Sequence, residues 1–390
     1  MAKMRFGCRK FVHGWRTLGV AWIGATLTCS AGLTGSTAWG QGVREASGPV
    51  IPRITGRIEA RQLGLVVNTA DPYSVAVGAH YRRVRRLAAH QVLELDLPTG
   101  AQLGLEDFER LRAAIGVRFG DDIQALALAW VTPYAVACNS LAGALALGPD
   151  EALCQNSCRP SRPSVMFNSR TAQPWKDHRM RPAMHLAASS VAAARLLVER
   201  GVRADGSLGR RGAPAVRVRL LTTDDSARNV RARLYPLPGI VRSAGVLLEV
   251  EGAEAVEAAA RAASGAGVPS GAPVLLLQTG QAQVGSLPRQ RWVAGALADH
   301  LTSYGGQLDA PDGGQSSAME WIAGGATASH GSASEPCAHV QKFPHPQILL
   351  GHYLQGATAI EAYWKSVAWP QQSVFIGEPL AAPYGVRAAP

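Results

Sequence analysis

The chain has 390 residues, of which 47% are hydrophobic and 17% charged, with 39 Lys and Arg against 28 Asp and Glu and a formal charge of +11. That composition excludes a disordered chain, and the length allows one large α/β domain or two smaller ones. Only five lysines occur, and no basic stretch is interleaved with aromatics in a nucleic-acid-binding motif, so nucleic acid is not an expected partner.

The first forty residues read as a leader. Lys3, Arg5, Arg9, Lys10 and Arg16 form a basic start without an acid, and Thr17 to Leu33 carries no charge. The apolar centre runs from Leu18 to Ile23, and Ala38-Trp39-Gly40 supplies a small-x-small cleavage site. Gly24, Thr26, Thr28, Ser30 and Gly32 dilute the apolar run, which argues against a retained anchor and for a periplasmic or secreted product. Cleavage leaves 34 bases against 28 acids. The excess of Arg fits a GC-rich coding bias as well as attraction to an anionic surface.

Strand and helix signals then alternate. Leu63–Asn68 is an apolar strand, 74–88 a helix, and 91–95 an alternating strand. Arg82, Arg83, Arg85 and Arg86 crowd the helix, as expected for a solvated face. Residues 106–115 form a second helix ending at Gly116. The uncharged stretch 123–148 is broken by Pro133, Asn139 and Ser140, so it is expected as a buried strand near 125–131, a turn and a small-residue helix. Residues 149–185 form an irregular excursion rich in Pro, Ser, Asn and Arg. A helix capped by Ser189 or Ser190 runs to Arg200, and the Gly/Arg-rich stretch 203–215 marks a boundary. The expected organisation is therefore a leader at 1–40, an N-terminal α/β region at 41–200 and a C-terminal one at 215–390. In the second region, 215–221, 245–250 and 273–280 read as strands and 253–263 as a helix. The alternation predicts an α/β fold with a largely parallel sheet and helices on both faces.

Four cysteines follow the leader: Cys138, Cys154, Cys158 and Cys337. Export permits disulfides, and three pairings are open, with a local Cys154–Cys158 bridge favoured by proximity. The last ninety residues are the richest in polar groups. Ser317-x-x-Glu320 and Thr358-x-x-Glu361 match capping boxes. Thr302 and Ser303 are candidate nucleophiles, His300 and His330 candidate bases, and Glu335 a candidate orienting acid. No Gly-x-Ser-x-Gly elbow accompanies them. A metal set of His330, Cys337, His339 and His345 has irregular spacing, so neither a metal nor another cofactor is expected.

The stretches 298–306, 324–331, Glu335-Pro336, Trp369-Pro370 and Phe375-Ile376-Gly377-Glu378-Pro379-Leu380 resemble an uncharacterised family of secreted bacterial proteins. No activity is established for that family, so the resemblance implies location and fold. The family usually ends in Gly-Asp-Pro-Leu, and Glu378 departs from it. The same block is similar to gingipain-type cysteine peptidases, which implies a caspase-like core in the C-terminal half. Where those peptidases carry their Cys, 300–305 holds Thr302 and Ser303, and where a His-Gly would fall stands Thr279-Gly280. The resemblance thus implies a fold without its Cys/His dyad. Two functions stand open: a non-catalytic protein binding a peptide or cell-envelope glycan, and a hydrolase using Thr302 or Ser303 with a nearby His.

Overall fold

A computed structural model describes residues 51–54, 56–263, 271–310 and 312–386. The leader expected at 1–40 lies outside them. The strands are β1 (Leu63–Asn68), β2 (Val92–Leu95), β3 (Gln102–Leu103), β4 (Ala125–Leu128), β5 (Ala135–Val136), β6 (Asn139–Ser140) and β7 (Ala183–His185). They continue with β8 (Val216–Thr222), β9 (Gly239–Val241), β10 (Val246–Gly252), β11 (Val274–Thr279), β12 (Trp292–His300), β13 (Ala328–Ser332) and β14 (Ser373–Gly377). The helices are α1 (Pro72–Arg85), α2 (Leu105–Arg118), α3 (Leu141–Leu147), α4 (Ala152–Gln155), α5 (Pro174–His178), α6 (Val191–Ala204), α7 (Ala253–Ala263), α8 (Met319–Gly324), α9 (Pro346–Gln355) and α10 (Ala359–Ser366).

Eleven strands join in one sheet in the order β2-β1-β4-β7-β14-β13-β12-β11-β8-β10-β9, and β3, β5 and β6 form a small second sheet. Successive side chains of a strand point to opposite faces. Every residue of β1, β4, β11, β13 and β14 is buried, so helices and loops cover both faces there. The fold is α/β with a largely parallel sheet. Among the described residues only β13–β14 and β9–β10 pair antiparallel in the eleven-stranded sheet, and β5–β6 does so in the small one. Because β14 runs parallel to β7 and antiparallel to β13, the two parallel halves run in opposite directions. Strands of the N-terminal region and of the C-terminal region meet at β7–β14, where Ile376 pairs with His185. The outer strand β2 is shielded by Arg118, whose Nε donates to the Val92 carbonyl at 2.8 Å, so part of its hydrogen-bonding edge is covered.

Several elements differ from the sequence reading. Helix α1 starts at Pro72 because Asp71 caps it, its carboxylate accepting from the Tyr73 amide at 2.9 Å. Helices α2 and α6 run through Gly116 and Gly201 to Arg118 and Ala204, and at Gly201 the missing Cβ makes room for the Glu378 carboxylate. The excursion 149–185 contributes α4, α5 and, through its last three residues, strand β7. Ser317 does not build a capping box: α8 is capped by Ala318, and Ser317 Oγ accepts from the Met319 amide instead. The Thr358–Glu361 box forms as read.

The disulfides are Cys138–Cys154 and Cys158–Cys337, not a local Cys154–Cys158 bridge. Cys154 lies in the helical turn of α4, and Asn156 then turns the chain by accepting from the Cys158 amide. The two sulfurs therefore pair with different partners, one 16 residues before Cys154 and one 179 residues after Cys158.

Candidate functional site

Strands β11, β12 and β13 run parallel and end at Thr279, His300 and Ser332. In open α/β sheets ligands collect at the carboxyl ends of strands. Here the loops leaving those ends are drawn together by glycines. A Cβ on Gly331 would lie 2.1 Å from the Gly305 carbonyl carbon, so only glycine lets those two backbones touch. Gly280 similarly abuts the Arg228 carbonyl, at 2.4 Å from where a Cβ would stand. The result is a pocket of about 250 Å³ walled by Arg228, Leu301, Thr302, Ser303, Glu335 and Phe343, among others.

Thr302 and Ser303 thus face the same pocket as Glu335. The histidines do not share it in the same way. His300 is fully buried, with Nδ1 accepting from Trp321 Nε1 at 2.9 Å and Nε2 facing the Ser316 carbonyl at 2.9 Å. The second contact requires the proton on Nε2. Burial pushes His300 down to about 4, so its imidazole is neutral at pH 7. His330 is equally buried, its Nε2 on Ser373 Oγ at 3.0 Å and its ring against Phe343 and Phe375. Its Nδ1 has no partner, and burial holds its pKa well below the usual range. Thr302 Oγ1 donates to Gln315 Oε1, which also accepts from the Tyr304 amide at 3.1 Å. Glu335 Oε1 accepts from the Cys337 amide at 2.7 Å. Among the described residues no hydrogen bond joins Thr302 or Ser303 to a histidine.

Of the four residues weighed as metal ligands, Cys337 is in a disulfide, His330 contacts Ser373, and His339 packs its ring on Trp369. Among the described residues no group of three or more His, Cys, Asp or Glu could hold a metal ion. No helix there is long and apolar enough to cross a membrane.

Sequence reasoning missed the residues that brace the site. Arg231 is buried and donates to Asp299 Oδ1 at 2.5 Å and to the Thr279 carbonyl at 2.9 Å, while Gln278 Nε2 donates to Asp299 Oδ2 at 2.9 Å. This cluster latches the segment 228–234 across the strand ends. Arg228, on the same segment, lines the pocket and donates to Asp225 at 2.6 Å. The available signal was polarity out of place: Gln278 interrupts the apolar run read as a buried strand at 273–280, and Asp299 directly follows the uncharged run 293–298.

No family profile and no curated protein sequence matches the chain. Solved structures do. One is the Arg-specific cysteine proteinase gingipain R, at 10% identity and a TM-score of 0.40, covering 84% of this chain and 80% of that one. Another is described only as a protease, at 10% identity and a TM-score of 0.41, covering 83% and 78%. A third is the complex of pro- and mature domains of the Porphyromonas gingivalis enzyme, at 9% and 0.40, covering 84% and 80%. At that distance the likeness transfers no chemistry.

Proposed function

We propose that this chain is an exported protein that binds a short peptide segment in the pocket beyond β11, β12 and β13 and carries out no covalent chemistry there. The observation that carries the reading is the engagement of His300. A serine or threonine nucleophile needs a base within hydrogen-bond reach. Both nitrogens of His300 are held by Trp321 and Ser316, and His330 is packed between aromatic rings behind the wall. What remains open to a ligand is a binding surface: Arg228 and Glu335 of opposite charge, hydroxyls at Thr302 and Ser303, and an apolar wall at Leu301 and Phe343. A few placed polar groups on an apolar wall are the usual composition of a ligand site. A peptide fits it better than a glycan, because Phe343 turns its ring to His330 rather than offering a face for a sugar. Export is supported by the leader at 1–40 and by two disulfides, which persist in oxidising compartments.

The test is selection of a randomised heptapeptide library against the protein lacking 1–40. Selected peptides are expected to lose about tenfold or more in affinity on Glu335→Lys and on Arg228→Glu, the effect of a central charged contact. Retention of cell-wall glycan instead of peptide would move the reading to a glycan. Cleavage of peptide substrates that Ser303→Ala abolishes would replace it with the hydrolase.

A further inference from the structure

We propose that the Cys158–Cys337 disulfide is a redox-cleavable tie on the pocket wall, so that the pocket is formed in the oxidised protein and loosens in the reduced one. The proposal rests on reading that pocket as the ligand site.

Cys337 itself lines the pocket, next to Glu335 and Ala338. Its sulfur is bonded to a residue 179 positions earlier in the chain. Cys337 and Ala338 hold φ of 60° and 54°, a left-handed pair that L residues with a Cβ avoid. Such a conformation persists only where the surroundings over-determine it. On one side the Glu335 carboxylate takes the Cys337 amide; on the other is the disulfide. The preceding residues are held independently. Ser334 Oγ donates to the Cys138 carbonyl at 2.7 Å, and Gln372 Nε2 donates to Ser334 Oγ at 2.8 Å and to the Glu335 carbonyl at 2.9 Å. After the tie, the His339 ring rests on Trp369 and the Trp369 amide donates to the Gln341 carbonyl at 2.8 Å, so cutting it loosens the segment around Cys337 and Ala338 first and leaves the strand end in place.

The other end of the tie is a fixed post. Cys154, four residues before Cys158, is bonded to Cys138. Buried Lys342 donates to the Ser157 carbonyl at 2.7 Å. Cys158 is exposed, so an external thiolate can reach its sulfur. The reductant is a dithiol. One of its thiolates attacks Cys158 Sγ and expels the Cys337 thiolate, which takes up a proton. The second thiol then closes on the mixed disulfide and releases Cys158 as a thiol. Two electrons and two protons pass to the protein, and the dithiol leaves as a cyclic disulfide.

The experiment is amide hydrogen exchange on the oxidised protein, on the double variant Cys158→Ser with Cys337→Ser, and on the control Cys138→Ser with Cys154→Ser. Loss of the Cys158–Cys337 bond should speed exchange across 336–341 by about tenfold, with β12 and β13 unchanged, as for a local opening. The control should leave 336–341 within about twofold, unless dithiothreitol is added, when the remaining bond is cut and the same segment should loosen. That second arm serves if the first double variant does not fold. Unchanged exchange over 336–341 after loss of the bond overturns the proposal. Peptides selected on the oxidised protein should bind about tenfold more weakly to the reduced one. If the wall loosens but the oxidised protein selects no peptide, the tie stands and the peptide reading falls. Equal binding and equal exchange in both states remove the tie and leave the peptide reading.

Discussion

His300 and His330 are the residues on which the chemistry turns, and burial decides what each can do. A neutral imidazole in an apolar setting loses the solvation that would stabilise its proton, so its pKa falls. Burial pushes His185 and His300 each to about 4. This has a consequence for stability. The unfolded chain takes up protons at these histidines below pH 6.5, while the folded one resists until about pH 4. Their contribution is whole above pH 6.5 and is lost as the pH falls toward 4. At pH 5 each should have given up about 2 kcal/mol relative to pH 7.5, and urea unfolding at the two values measures the loss. A midpoint that is unchanged at pH 5 would show that these side chains are not held neutral.

Helix caps and disulfides act one element at a time. Thr358 accepts from the Glu361 amide, and the Glu361 carboxylate accepts from the Thr358 amide at 3.0 Å, so two free donors at the start of α10 are satisfied together. Thr358→Ala should cost about 1–2 kcal/mol. Ser317→Ala should cost less, since its hydroxyl receives one long amide bond at 3.3 Å and no box forms. Thermal unfolding of the two variants side by side checks the order. The disulfides should also rank by the loops they close. Cys158–Cys337 spans 179 residues and Cys138–Cys154 spans 16. Chain-entropy arguments assign about 5 kcal/mol to the first and about 3 to the second. Replacing each pair by Ser and comparing unfolding free energies tests the order, and a larger loss from the shorter loop would contradict it.

Across the whole molecule, the N-terminal and C-terminal halves of the chain meet in the sheet through few strand contacts at β7–β14, and a buried ion cluster links them as well. Glu378, just after β14, accepts from Arg85 of α1 through both carboxylate oxygens and from the Tyr81 hydroxyl at 2.8 Å. Arg85 also reaches Asp205 at 2.5 Å. Glu378 is fully buried, so its removal leaves an uncompensated guanidinium in the interior. Glu378→Ala should cost about 3–5 kcal/mol in denaturant unfolding. Glu109→Ala breaks an exposed ion pair with Arg112 and should cost less than about 1 kcal/mol. Equal effects would show that the cluster does not hold the halves together. Arg85 was read as one of a solvated group of four; in the fold it alone turns inward, because Glu378 and Asp205 from distant positions meet it there.

Local pattern was sufficient where the physics is local. Apolar runs bounded by turns yielded β1, β8, β10 and β11, and the full span of α7 was legible from Ala/Glu periodicity. The Thr358–Glu361 box was legible because all its atoms lie within one turn of helix. Of the site, Thr302, Ser303 and Glu335 could be singled out as polar residues in the C-terminal block. Arg228 could not, since nothing near it in the chain says that Gly280 lets its loop close over the strand ends. Disulfide pairing and the burial of His300 likewise waited on tertiary structure. Sequence proximity favoured Cys154–Cys158, but a turn and a short helix separate those thiols and the folded sheet brings Cys337 to one of them. Whether a histidine is a base or a packed ring depends on which residues from elsewhere in the chain surround its nitrogens, and for His300 those are Ser316 and Trp321, set by the fold.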